Sequence, residues 1–164
     1  MKRLITKRIL ATTIDYILVM LYVILLFGIT ITFFETENIG PIKGQVIGLF
    51  ILTLPVFCYF YFSEIGIKKA TLGKIITKIS VDSNHNKNIL YRSIFKFLPW
   101  EIAHFGVHWM YYFNREEITE PFWVWISLIL PQIVVVIYIV SFISSKDNTT
   151  VYDQLTNTKI IIKN

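Results

Sequence analysis

A long apolar run, Ile9 to Phe34, begins just after Arg8 and contains Asp15 about two helical turns from its start. No other feature constrains the fold of this chain so strongly. The run reaches the roughly 17 to 25 residues that cross the hydrocarbon of a bilayer as a helix. A charge at mid-span costs about 3 kcal/mol on insertion scales, so Asp15 should face a bundle interior or an aqueous cavity. It serves there either as a hydrogen-bonded tie between helices or as a ligand for an ion or proton. Seven helical residues return almost to the starting face, which places Arg8 and Asp15 on one stripe, roughly 10 Å apart along the axis.

Composition extends this reading to the whole chain. Of 164 residues, 54% are hydrophobic and 16% charged, with a mean hydropathy of +0.57, against roughly 25% charged in a soluble domain. The sequence predicts an all-α membrane protein, one domain over residues 1–164, with four transmembrane helices at 9–34, 46–65, 97–113 and 122–143. The third run is short and aromatic and carries Glu101, His104 and His108. An interfacial or re-entrant helix is its alternative, because such residues depress the hydropathy on which spans are recognised.

Flanking charges set the orientation. Lys2, Arg3, Lys7 and Arg8 precede the first run, and Lys68, Lys69, Lys74, Lys78, Lys87, Arg92 and Lys96 follow the second. The loop after the first run has Lys43 against Glu35 and Glu37, and the turn Asn114 to Glu120 has Arg115 against Glu116, Glu117 and Glu120. Both termini, segment 66–96 and tail 144–164 are therefore expected in the cytoplasm. The net charge of +5 and pI of 9.3 report topology and contact with anionic lipid, with no nucleic-acid partner implied. The first run is too long for a removable signal peptide and lacks a small-residue cleavage site, so it is expected to stay in the mature chain. Cys58 lies among Phe57, Tyr59 and Phe60 and reads as a small buried hydrophobe.

Segment 66–96 is more organised than a linker. Ile75, Ile76, Ile79 and Val81 lead into the polar turn Asp82 to Asn86, with a solvated His85, before a return at Ile89 and Leu90. This predicts a small hairpin at the membrane surface. Beyond it, Ile94, Phe95 and Leu98 alternate with Arg92 and Lys96 as in an interfacial amphipathic helix that Pro99 should redirect. In the tail, Asn148, Thr149 and Thr150 offer a cap ahead of Val151 to Leu155, and Thr158 to Ile162 can form a strand that pairs with the hairpin.

Glu101, His104 and His108, spaced by three and four residues, form one polar stripe on a helix. Imidazole beside a buried carboxylate suits proton exchange near neutral pH. The same groups are metal ligands, but bundle metal sites need further ligands, so no metal or other cofactor is assigned. A structural polar network is the plain alternative. Helical rise puts Asp15 and the stripe in the cytoplasmic half of the bundle, where a cavity lined by Asp15, Glu101, His104 and Gln132 would hydrate them. Pro131 beside Gln132 frees a backbone carbonyl. Arg8 and Asp153 both belong at the cytoplasmic surface, where a guanidinium–carboxylate pair would latch the tail beneath the bundle. Trp100, Trp109, Trp123 and Trp125 lie near span ends and read as headgroup anchors.

The combination of Arg8, Ala11 and Asp15, of Ala70, Thr71, Leu72, Gly73 and Lys74, of Val81, Arg92 and Lys96, and of Val151 to Leu155 with Thr158 resembles the RDD family of bacterial membrane proteins. That family is named for one arginine and two aspartates, which the resemblance carries onto Arg8, Asp15 and Asp153. Leu98 to His104 is similar to one subgroup, while a glycine often found after the Gly-Lys pair is replaced near Thr77. The resemblance implies a multi-pass protein of the bacterial inner membrane. The family is associated with transport of an unknown ligand, and some members with cation/proton antiport. No nucleophile elbow, Walker loop, C-x-x-C or HExxH motif is present, so the chain is not read as an enzyme. Two functions follow: a small-solute or cation/proton transporter, with homo-oligomers to complete a pathway, or a non-transporting accessory or toxin-immunity protein that works through a membrane or toxin partner.

Overall fold

The computed structural model describes residues 2–33 and 39–163, the side chain of Lys2 excepted. Phe34, the expected end of the first span, and the loop acids Glu35 and Glu37 lie outside the described residues. The chain is mostly helical: α1 (Lys2–Phe33), α2 (Pro41–Gly48), a π-helical segment (Leu49–Thr53), α3 (Leu54–Ile65), α4 (Leu72–Ile76), β1 (Ile79–Ser83), α5 (Asn86–Arg115), α6 (Phe122–Ser144), α7 (Val151–Leu155) and β2 (Thr158–Ile162). Among the described residues, three helical stretches are long and apolar enough to cross a membrane: Arg3–Phe33, Pro41–Ile65 and Phe122–Ser144. The second begins earlier than the expected Val46, because α2, the π segment and α3 run on without a break.

Pro99 does not redirect the chain. It lies buried inside α5, so the expected interfacial helix and the third apolar run are one continuous helix. A proline has no N–H for the carbonyl four residues earlier, here Phe95, and the Tyr138 hydroxyl of α6 donates to that oxygen at 2.9 Å. Pro55 is treated alike. In α-helical register it would leave the Ile51 carbonyl without a donor, and the Tyr22 hydroxyl of α1 donates to it at 2.5 Å. Two tyrosines on neighbouring helices thus satisfy carbonyls that cannot be left bare in an apolar surround.

The expected hairpin is also corrected. The polar turn after Ser83 leads directly into α5, whose helix begins at Asn86, and β1 pairs instead with the tail. The pairing is antiparallel, Ile79 opposite Ile162 and Ser83 opposite Thr158. Period-two burial explains the choice: Ile79, Val81 and Ile160 turn inward. With Ala11 and Ile89 they form the apolar core, and Leu4, Tyr61 and Ile65 pack against it. This core sits at one end of the bundle, where the start of α1, the end of α3, the start of α5 and the tail converge.

Candidate functional site

The buried stripe of α1 is Arg8, Ala11 and Asp15, spaced by three and four residues, while most of the remaining helix surface is exposed. Helix α4 docks on that stripe. A Cβ at Gly73 would stand 2.1 Å from the Ala11 carbonyl oxygen and 3.0 Å from the Asp15 carboxyl carbon, so only glycine permits the approach. Asp15 holds α4 there: its Oδ1 accepts from the Gly73 N–H at 2.9 Å and the Tyr59 hydroxyl at 2.9 Å, and its Oδ2 accepts from the Thr71 hydroxyl at 2.5 Å. The Tyr59 oxygen in turn accepts from the Leu72 N–H at 3.0 Å. Asp15 thus serves as the carboxylate cap of a short helix and ties α1, α3 and α4 together.

Beneath it runs a ladder of alternating charge. Arg8 Nη2 meets Asp153 Oδ2 at 2.9 Å, Arg92 Nε meets Asp153 Oδ1 at 2.8 Å, Arg92 Nη1 meets Glu64 Oε2 at 2.5 Å, and Lys74 Nζ donates to Glu64 Oε1. All five residues are buried, Asp153 and Glu64 almost completely. Further partners complete the array: Arg8 donates to the Asn148 carbonyl, and Asp153 forms a capping box with Thr150 at the start of α7. Arg8 also lies over the Phe142 ring and Arg92 over that of Tyr152. Burial alone would raise the Asp153 carboxyl, but Arg92, Arg8 and the Thr150 N–H hold it below the usual carboxylate range. Burial opposes the charge on Arg92 as well, and Glu64 and Asp153 raise it further above its ordinary value. On Lys74 burial wins over Glu64 and lowers the ammonium.

A second polar group lies deeper. Glu101, His104 and His108 do share one face of α5, which is turned toward α2 and the π segment. Glu101 Oε2 accepts from Gln45 Nε2 at 2.9 Å, and its Oε1 accepts from the Thr53 hydroxyl. His104 Nδ1 is 3.9 Å from Glu101 Oε1, and the two imidazole centroids are 6.4 Å apart. Gly44 and Gly48 open the space for His108: a Cβ at Gly44 would stand 2.8 Å from its Nδ1. Gln45 Oε1 is buried with no hydrogen-bond partner among the described residues. Among the described residues no three His, Cys, Asp or Glu side chains gather as a metal site.

The expected common cavity does not form. The partners of Asp15 and Glu101 on the second helical stretch, Tyr59 and Thr53, are six residues apart, about 9 Å along the axis, so the two carboxylates belong to separate groups. A cleft of about 340 Å³ is lined by Asp15 but not by Glu101, His104 or Gln132. Gln132 is exposed on α6. Trp109 is not simply an anchor at a headgroup: its indole N–H is buried without a hydrogen-bond partner among the described residues, and its ring packs on Trp123 with centroids 5.3 Å apart. Sequence reasoning missed Glu64, Tyr59, Thr53 and Gln45. For Glu64 the signal was present, since it is a carboxylate inside the second apolar run.

Apolar helices long enough to cross a membrane, closed at one end by a buried charge ladder that draws on Arg8 and Asp153 from opposite ends of the chain, define a helical protein of the membrane class. The model of the RDD family matches residues 3–157, and the protein belongs to that family. Neither a curated protein nor a solved structure matches the chain.

Proposed function

We propose that this protein is a transporter of the bacterial inner membrane that exchanges a small cation for a proton at Glu101. One observation carries the reading. The carboxylate of Glu101 and the unpartnered, buried Gln45 Oε1 lie together between helices, and carboxylate and amide oxygens are the donors that hard cations take. His104, at 3.9 Å from Glu101, is placed to pass protons near neutral pH. The π-helical segment, which ends at Thr53 beside Glu101, is a kind of local distortion frequent at functional sites. Asp15, saturated by three donors, positions α4 in this scheme and is not the exchanging group.

The scheme has four crossings, with α5 as the third. Support comes from its pairing with α6, from Phe95 and Tyr138 at one end to Phe113 and Trp123 at the other, about 27 Å of α5 at 1.5 Å per residue. Both termini, segment 66–96 and the tail are assigned to the cytoplasm, in keeping with their joint basic charge and shared end of the bundle. Tags at the termini and near Asn84 should report cytoplasm, and one near Glu117 the outside.

Exchange is tested in proteoliposomes with sodium, potassium and proton gradients applied separately. Glu101→Gln should fold and lose exchange, and His104→Gln should move its pH dependence. A Glu101→Gln protein that exchanges as the parent does, or a parent that exchanges nothing, refutes the reading. The second of those results favours an accessory or immunity protein instead, for which the broadly uncovered apolar surface of α1 from Ile17 to Phe33 offers a contact face.

A further inference from the structure

The cleft of about 340 Å³ lies between α1 and α6 at the capped end of the bundle, within the size range of ligand sites. Its apolar side is built from Ile9, Val135, Ile139 and Phe142, and its polar side carries Arg8, Lys74, Arg92 and Lys96. The first three of these cations belong to the ladder and have their carboxylates. Lys96 does not. Its ammonium stands 3.4 Å from the centroid of the Phe60 ring, and among the described residues no carboxylate comes within ion-pair distance of it. With Asp15, Glu64 and Asp153 set against the four cations, the fully ionised site carries one positive charge in excess, the one on Lys96.

The cleft is continuous with a second depression. Thr12, Thr13 and Tyr16 belong both to it and to an apolar groove that continues along α1 past Ile17 to Met20 and Leu21, about 14 Å of helix from Thr12. This combination, one unpaired cation at the capped end and an apolar track leading away from it along a membrane helix, matches one chemical object.

We propose that the cleft between α1 and α6 binds an anionic phospholipid, with the phosphodiester on the Lys96 ammonium and an acyl chain in the groove of α1. A phosphodiester carries the single negative charge the site lacks, and a charge-assisted hydrogen bond to a half-buried ammonium is among the stronger polar contacts. Basic pockets between helices at the cytoplasmic side are suited to such headgroups. A zwitterionic lipid brings its own cation and would gain less. The site is separate from Glu101, so it stands or falls independently of ion exchange.

The test is native mass spectrometry of the full chain in detergent, titrated with phosphatidylglycerol, phosphatidylcholine or inorganic phosphate. Phosphatidylglycerol should stay bound to the parent, phosphatidylcholine should bind about tenfold or more weakly, and millimolar inorganic phosphate should not displace the lipid. Lys96→Gln should weaken phosphatidylglycerol by about tenfold or more and Lys96→Arg should retain it. Thr12→Trp fills the exposed mouth of the groove without touching the ladder and should also weaken it, so the idea remains testable if Lys96→Gln does not fold. Equal binding of the two lipids, full retention by both Lys96→Gln and Thr12→Trp, or displacement by inorganic phosphate, which would name a soluble anion as the occupant, each overturn the proposal.

Discussion

Asp153 is the member of the charge ladder whose loss should be felt most widely. It accepts from Arg8 and Arg92 and caps α7 through Thr150. Breaking a buried ion pair by removing one partner costs about 3–5 kcal/mol, and losing an N-terminal cap adds about 1 kcal/mol. Asp153→Ala should therefore destabilise the protein by about 4–6 kcal/mol. Arg8→Ala is a milder change, because Asp153 keeps Arg92 at 2.8 Å and the Thr150 N–H at 3.1 Å. It should cost about 1.5–3 kcal/mol, the range for a lost hydrogen bond to a charged group. The double substitution should fall short of the sum by about 0.5–3 kcal/mol, since the two side chains touch. Unfolding by sodium dodecyl sulfate from mixed micelles, followed by helicity, measures all three. Equal single losses would show that Arg92 does not share Asp153. Additive losses within about 0.5 kcal/mol would show that the Arg8 contact is energetically empty.

The docking of α4 on α1 makes a sterically sharp prediction: Gly73→Ala places a Cβ at 2.1 Å from the Ala11 carbonyl oxygen, and overpacking of this kind costs about 1–3 kcal/mol. Asp15→Asn should be milder, because its oxygen still serves Gly73 and Tyr59 while Thr71 reverses its hydroxyl. The order of the two midpoints in the same titration checks this, and an Asp15→Asn loss exceeding that of Gly73→Ala would refute it. Lys96 gives a pH dependence. Burial first pushes its ammonium down to about 7 from 10.5, against the raising pull of Glu64 and Asp15 and with further lowering by Lys74 and Arg92. Below pH 7 both folded and unfolded chains hold this proton and the penalty of the charged cleft is fully present; between about 7 and 10.5 the unfolded chain binds more protons, so stability rises with pH. In lipid-free detergent Lys96→Met should be more stable than the parent at pH 6 and lose that rise. Parallel pH profiles for the two proteins would refute the assignment.

Periodicity and charge made the helical stretches legible, together with the stripe of α1 and the shared face of Glu101, His104 and His108, because each of these is set by residues close in sequence. Beyond the Arg8–Asp153 pair, what they could not convey was the partner of most polar groups. Asp15 reads as facing inward, but not what it faces, and the clue to its contact with α4 is Gly73, a residue whose role is defined by an oxygen on another helix. Pro99 reads as a stop because the local rule concerns its own missing N–H; the rule is overridden by a hydroxyl on α6, more than thirty residues away, that serves the freed Phe95 carbonyl at 2.9 Å. The strands Ile79–Ser83 and Thr158–Ile162 and their pairing were legible, but that Ile89 belongs to α5 and not to a returning strand was not, because the tail strand takes that place, buries Ile160 and leaves the nearer sequence free to begin α5. A membrane sharpens this division. Apolar positions there are interchangeable with lipid and say little about neighbours, whereas every polar group must find a partner, so the long-range structure is written in the pairing of the polar residues. On that logic Gln45 Oε1, buried without a hydrogen-bond partner among the described residues, and Lys96, whose ammonium has an aromatic ring and no carboxylate within ion-pair distance among the described residues, are places where a ligand is called for.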